Sequence, residues 1–351
     1  MTIAALAGCT APGTIESTPA ATAAVTTATT AASVTSTETT TAATSATTTT
    51  EAEPAFRFQT KVCSHFYEDI FGKKMCDSWY SLVDAVLKGE DTFSCPDAHI
   101  YLWVLQEFPK ACFPVFIEII DQPEDYDLMS INGTARIEYK VSKKEAARKI
   151  TEFEELVEGI LNEVLKPEYT DLEKALALYS YFINTYTYDF ETFNLIEENI
   201  PVTYTSAYRL LSEKTGICSE IAEAYSYLLM QVGIEASVVV GGKHEWSIID
   251  LGGKYYHIDP TYALESGEFL GYFMMTDARR GEDGFKKKKF QYVAAYSPEV
   301  EPDYTANDKT FKPLWDYRLL SFDHATRTIK CVKYTFDEQE EYFTFDYSGC
   351  P

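Results

Sequence analysis

Apolar side chains along this chain repeat with two periods, and the change from one to the other marks its elements. Over Asp77–Lys88 the spacing of Trp79, Leu82, Val83, Val86 and Leu87 predicts a helix, with Asp77 or Ser78 as N-cap and Gly89 ending it. Ile100–Phe108 is a second helical stretch, stopped by Pro109. Cys112–Ile120 and Ser130–Val141 read as strands, the latter entered through an Asn132-Gly133 turn. Ser142–Leu165 is strongly amphipathic, with Ser142 as its N-cap and Glu145 at the capping-box position. Thr170-Asp171-Leu172-Glu173 opens another helix, running to about Tyr186. Beyond about Pro302 the pattern turns to alternation. Tyr317–Phe322, Thr328–Tyr334 and Glu341–Tyr347 predict an antiparallel meander.

Between residues 216 and 261 pattern and chemistry coincide. Ile221, Tyr225, Leu228, Leu229 and Val232 form one face of a helix that ends at Gly233 and carries Cys218 in its first turn. Unpaired N–H groups and the positive dipole end stabilise a thiolate there. A cysteine that only filled a core would more naturally lie mid-helix on the apolar stripe, though packing is the alternative for any single cysteine at a helix start. A β-branched run, Ala236–Val240, leads to His244-Glu245-Trp246-Ser247, and a Gly252-Gly253 pair separates this from Tyr255–Thr261. A two-residue hairpin tip at Gly252-Gly253 sets Asp259 opposite Trp246 and His244 opposite Thr261. His244 and Asp259 are then diagonal neighbours on one face, about 7–8 Å apart between backbones. Such a carboxylate can orient an imidazole that takes a thiol proton. His257 shares the face but has no carboxylate across the hairpin. A metal site built from these residues lacks an H-x-x-x-H spacing, so neither metal nor cofactor is expected.

These pieces have a family likeness. Thr215-Gly216-Ile217-Cys218-Ser219-Glu220-Ile221-Ala222, then Val232-Gly233-Ile234-Glu235-Ala236, then His244-Glu245-Trp246-Ser247, then Tyr255–Tyr262 resemble the transglutaminase-like core. Its bacterial pattern runs G-x-C, G-I-x-A, H-x-W and D-x-T in that order. Tyr186-Thr187-Tyr188-Asp189, about 30 residues upstream of the cysteine, matches the family's aromatic-Asp element. The resemblance implies an α+β, papain-like core of helices packed on an antiparallel sheet. It further implies Cys218 as nucleophile, His244 as base and Asp259 as the orienting acid. Tyr188 would be an oxyanion donor beside the Cys218 N–H, and Trp246 a wall of the site. Two departures bear on substrate. Ser219-Glu220-Ile221-Ala222 stands where many members have Gln-Gly-Tyr-Ala, and Ser247 where Asn is common. Glu220 would add negative charge beside the nucleophile, raising its pKa or selecting basic substrates.

Composition and the N-terminus set the surroundings. The chain has 351 residues, 30 Lys plus Arg against 54 Asp plus Glu, and a net charge of −24. That balance argues against nucleic acid as a partner, since phosphate binding needs clustered cations. No apolar stretch reaches the roughly 18–20 residues that span a bilayer. Leu6-Ala7-Gly8-Cys9 resembles a bacterial lipobox, although no basic region or apolar stretch precedes it. Thr10 to about Ala55 is nearly all Thr, Ala and Ser, a flexible tether spanning roughly 40 Å. The reading is therefore a lipid-anchored domain on the extracellular face of a bacterial membrane or cell wall. A linker from a further domain upstream is the alternative.

The expected organisation has five parts. Residues 1–9 are a lipobox-like signal remnant, 10–55 the tether and 56–142 a small mixed region. Residues 143–300 form the catalytic core and 301–351 the β meander. In an oxidising compartment Cys63, Cys76, Cys95, Cys112, Cys331 and Cys350 suggest disulfides, the first four among themselves and Cys331 with Cys350. Lys286–Lys289 reads as a solvated loop. The expected activity is thiol-dependent acyl transfer on protein or peptide amides, hydrolysis somewhat favoured over cross-linking. The only expected membrane contact is through the anchor at Cys9, and the oligomeric state stays open. The alternative is a surface binding module that keeps the fold without the chemistry.

Overall fold

The computed structural model describes residues 55–122, 132–292, 302–335, 337 and 339–350. The Cys9 anchor, the Thr-rich tether up to residue 54 and the first two residues of the expected Ser130–Val141 strand lie outside them.

The centre is a four-stranded antiparallel sheet in the order Tyr255–Ile258, His244–Asp250, Glu235–Gly241, Phe290–Tyr292. The expected hairpin register holds: Ser247 pairs with Ile258, Ile248 with His257 and Asp250 with Tyr255. The helix Cys218–Gln231 lies across one face, where Ser226 Oγ lies 2.9 Å from Ser247 Oγ and Ser247 Oγ lies 3.1 Å from the Ala222 carbonyl. Two helices flank it. Lys143–Val164 starts at Ser142, whose side chain accepts the Glu145 N–H. Asp171–Thr185 starts from a reciprocal capping box between Thr170 and Glu173. Ser142 and Thr170 cap helices because their oxygens replace the missing intrahelical acceptors at a first turn.

The N-terminal segment is tied to this core rather than separate from it. Gln59 and Gln231 exchange hydrogen bonds at 2.8 and 2.9 Å, and the Ser64 hydroxyl donates to the Ala236 carbonyl at 2.7 Å. At the other end, Arg318–Asp323, Thr328–Tyr334 and Glu340–Asp346 form the expected meander. It docks on the Asp171–Thr185 helix through buried Glu173, which accepts from the Tyr347 hydroxyl and faces His324 Nδ1 at 2.9 Å.

Four expectations differ from the structure. The helix expected from Asp77 begins a turn earlier, at Lys73, because Met75 and Cys76 already face the core. The helix expected over Ile100–Phe108 is Ala98–Gln106, capped by Asp97, and Pro109 sits in the first turn of a new helix, Phe108–Cys112. Proline is tolerated there, where its missing N–H would have no partner. Cys112–Ile120 is no strand: it holds the end of that helix, the turn Phe116–Ile119 and one bridge from Ile120 to Tyr139. Nearly every side chain in it is buried, and a short continuous apolar run has no period to tell helix from strand. Of the Ser130–Val141 strand, Thr134–Arg136 pairs with Thr92–Ser94. The six cysteines expected in disulfides are free thiols.

Candidate active site

A two-residue parallel pairing assembles one side of the site. Thr187 pairs with Thr215 and Tyr188 with Gly216, so the chain that enters the Cys218 helix runs beside Tyr188. Gly216 has a packing reason. A Cβ there would meet Leu210 Cδ1 at 2.8 Å and Glu220 Oε2 at 3.0 Å. The glycine of G-x-C therefore makes room for a glutamate folding back over the helix start.

Glu220 is fully buried, and its carboxylate accepts from the Ile217 N–H at 3.0 Å and the Ser206 N–H at 2.9 Å. Arg209 closes on it with Nε at 2.8 Å and with Nη2, while its Nη1 reaches Asp189 Oδ2 at 2.9 Å. Burial pushes the Glu220 carboxyl up, and Arg209 and the two N–H groups oppose that. Its charge is thus spent inside the protein. The expectation that Glu220 selects basic substrates is not met, because the carboxylate has no open side for one. Glu220 serves instead as the N3 acid of a helix whose N-cap, Ile217, has no side-chain acceptor.

Cys218 is the first residue of that helix and is fully buried. The Tyr188 hydroxyl is buried with no hydrogen-bond partner among the described residues. Burial pushes its phenol well up, so it stays a donor, while the nearby Cys218 N–H favours the ionised form.

The hairpin supplies the other side. Asp259 sits one residue past the strand Tyr255–Ile258 and caps the turn Pro260–Ala263, accepting the Tyr262 N–H. His244 opens the strand His244–Asp250. Their side chains meet as the diagonal register requires, His244 Nε2 lying 2.8 Å from Asp259 Oδ2 with both fully buried. Burial alone would raise the Asp259 carboxyl, but facing His244 and Arg280 outweigh it and hold it below the usual range. An ionised carboxylate only accepts, so Nε2 carries the proton and the neutral ring keeps its lone pair at Nδ1. That Nδ1 is buried with no hydrogen-bond partner among the described residues. Tyr262 stacks on the imidazole at 4.5 Å and 11° between planes.

His257 has its own carboxylate, which the hairpin alone did not reveal. Its Nε2 is 2.9 Å from Asp277 Oδ1 and its Nδ1 accepts the Trp246 indole N–H at 2.9 Å. With both ring nitrogens engaged and burial lowering its pKa, it is a neutral structural histidine. Trp246 is accordingly a core indole held behind His244, with 5.9 Å between rings.

Arg280 and Asp277 were not visible as site residues in the sequence. Both come from the short helix Asp277–Glu282, capped by Thr276 and brought alongside by the bridge between His257 and Met275. The fully buried Arg280 reaches Asp259 Oδ2 at 3.2 Å, with its guanidinium over Trp246 and Phe285 at 4.3 and 4.4 Å. The Thr276-Asp277-Ala278-Arg279 cap was the local signal, but nothing in it gives the direction of the helix. Lys287, in the run expected to be solvated, pairs with Asp277 and Asp303.

Residues 158–268 match the model of the transglutaminase-like superfamily, so the Cys218–His244–Asp259 segment is transglutaminase-like in sequence; Asp277 and Arg280 lie beyond the match. Two solved structures are similar in part. One, described as the crystal structure of a TGase, is 18% identical over 53% of this chain and 56% of its own, with a TM-score of 0.29. The other, a putative cysteine protease from Cytophaga hutchinsonii, is 16% identical over 39% and 48%, with a TM-score of 0.24. The chain thus spans about half the length of each. No curated protein matches it.

Proposed function

We propose that this protein is a cysteine-nucleophile enzyme acting on protein or peptide amides. The observation that carries the reading is the buried His244–Asp259 pair, whose carboxylate holds Nε2 and leaves Nδ1 as the base. Cys218 at the start of a helix that packs on the same strand supports it. In the proposed reaction His244 Nδ1 takes the thiol proton and the sulfur attacks the amide carbon. The Cys218 N–H and the Tyr188 hydroxyl stabilise the resulting oxyanion. Collapse breaks the C–N bond, the imidazolium returns its proton to the departing amine, and a thioester remains on Cys218. Water then releases an acid, or a second amine forms a new amide. We favour water, because no acceptor-binding signature is present in the sequence. Leu6-Ala7-Gly8-Cys9 and the polar stretch after it support action at a bacterial cell surface from a lipid anchor.

The test is incubation of wild type and Cys218→Ala with a complex peptide mixture, sorting products by mass. Cleavage or deamidation that requires Cys218 supports hydrolysis, and joined peptides with loss of ammonia support transfer. Identical mixtures from both proteins, with Cys218 alkylated no faster than a model thiol, would leave a binding module as the better reading.

A further inference from the structure

The cysteines outside the candidate active site were expected to pair evenly, yet the fold gathers three of them. Cys63 directly precedes the helix His65–Phe71, Cys76 lies in Lys73–Lys88, and Cys112 ends Phe108–Cys112. The Cys63 thiol is in hydrogen-bond contact with both Cys112 and Cys76. Cys76 and Cys112 are buried, whereas Cys63 is partly exposed. Cys95 stands apart, its thiol turned to the Asp97 carbonyl at 3.3 Å. Among the described residues no group of His, Cys, Asp or Glu is arranged to hold a metal ion, so the three thiols are not a metal site.

We propose that Cys63, Cys76 and Cys112 form a disulfide-exchange site in which Cys63 bonds to one of the other two and the third stays a thiol. The oxidant class is a low-molecular-weight disulfide such as glutathione disulfide. The exposed Cys63 thiolate attacks one of its sulfurs, giving a mixed disulfide and releasing one thiol. Cys112 or Cys76 then attacks the Cys63 sulfur and releases the second thiol. Overall, two protein thiols lose two electrons and two protons, and one external disulfide becomes two thiols. Attack by the remaining cysteine on Cys63 exchanges one internal bond for the other with no net redox change. The Cys112 hydrogen bond and burial push the Cys63 thiol well up, so its thiolate is scarce and exchange is slow at neutral pH. The site does not depend on Cys218 chemistry.

The experiment equilibrates the full folded chain with excess glutathione disulfide, blocks free thiols and maps disulfide-linked peptides without reduction. The expected result is two products, Cys63–Cys112 and Cys63–Cys76, never joined in one molecule. Cys76→Ser should leave only the first and Cys112→Ser only the second. In Cys63→Ser both remaining thiols should stay open to alkylation. Three alkylatable thiols in the wild type, a Cys76–Cys112 bond in Cys63→Ser, or Cys63 carrying only glutathione would each overturn the proposal. The wild-type map decides even where a variant folds poorly, and thermal midpoints of the reduced variants identify such cases.

Discussion

Arg280 and His244 converge on the same oxygen of Asp259, at 3.2 and 2.8 Å, and all three side chains are fully buried. Two cations thus share one anion away from water. Arg280→Met should cost about 3–5 kcal/mol, the loss seen when a buried charge is left with too few partners. Arg280→Lys keeps the charge but loses the planar contact with Trp246 and Phe285, and should fall between. The pH dependence has a definite sign. Asp259 is held below its unfolded value, so its contribution is present above about pH 4 and fades as pH falls through the folded value. Removing Arg280 takes away one cause of that depression. The acid-side loss of stability should therefore begin at higher pH in Arg280→Met, as read from thermal midpoints across pH.

The two buried histidines should separate cleanly. His244→Gln should lower turnover by about 10²–10⁴-fold, the usual worth of a general base, while the protein still folds. His257→Phe should instead leave the Trp246 N–H and Asp277 without their partner, costing about 1–3 kcal/mol. It should spare Cys218 alkylation. Because burial lowers the His257 pKa, the unfolded chain binds this proton more readily. Its share of stability should decline as pH drops below about 6.5, and that slope should vanish in His257→Phe.

Tyr188→Phe removes a proposed oxyanion donor without altering the packing of the ring. If Tyr188 acts in the transition state, kcat should fall about 10²–10³-fold with KM little changed. An unchanged kcat in a folded Tyr188→Phe protein would assign the residue to packing.

Gly216→Ala should strike the helix start directly. The new methyl would press on Leu210 and on the Glu220 carboxylate, displacing the acid that holds Ile217, Ser206 and Arg209. A cost of about 1–3 kcal/mol is expected, together with slower Cys218 alkylation. Glu220→Gln keeps the shape and removes the charge, so it should destabilise without changing the preference between basic and acidic peptides. A changed preference would show that substrate senses this carboxylate.

Much of the site was legible because its determinants are local. The Gly252-Gly253 tip sets a period-two register, and that register alone made His244 and Asp259 diagonal neighbours, as the structure finds. Ser142 and Thr170 announced helix starts, since a capping oxygen and its N–H lie three residues apart. The Cys112–Ile120 stretch was misread for the complementary reason: a segment buried on all sides carries no periodic signature.

What the sequence determined by itself is the order of the elements and the residues of the proposed triad, all written in short-range spacing. Only the tertiary structure decided what surrounds them. It sent Arg280 and Asp277 back across the sheet, buried Glu220 against Arg209, and gathered Cys63, Cys76 and Cys112 from three helical segments. These contacts join residues on different elements, whose meeting depends on how whole helices pack. A buried charge or thiol gains its character from those neighbours, and no local pattern specifies them.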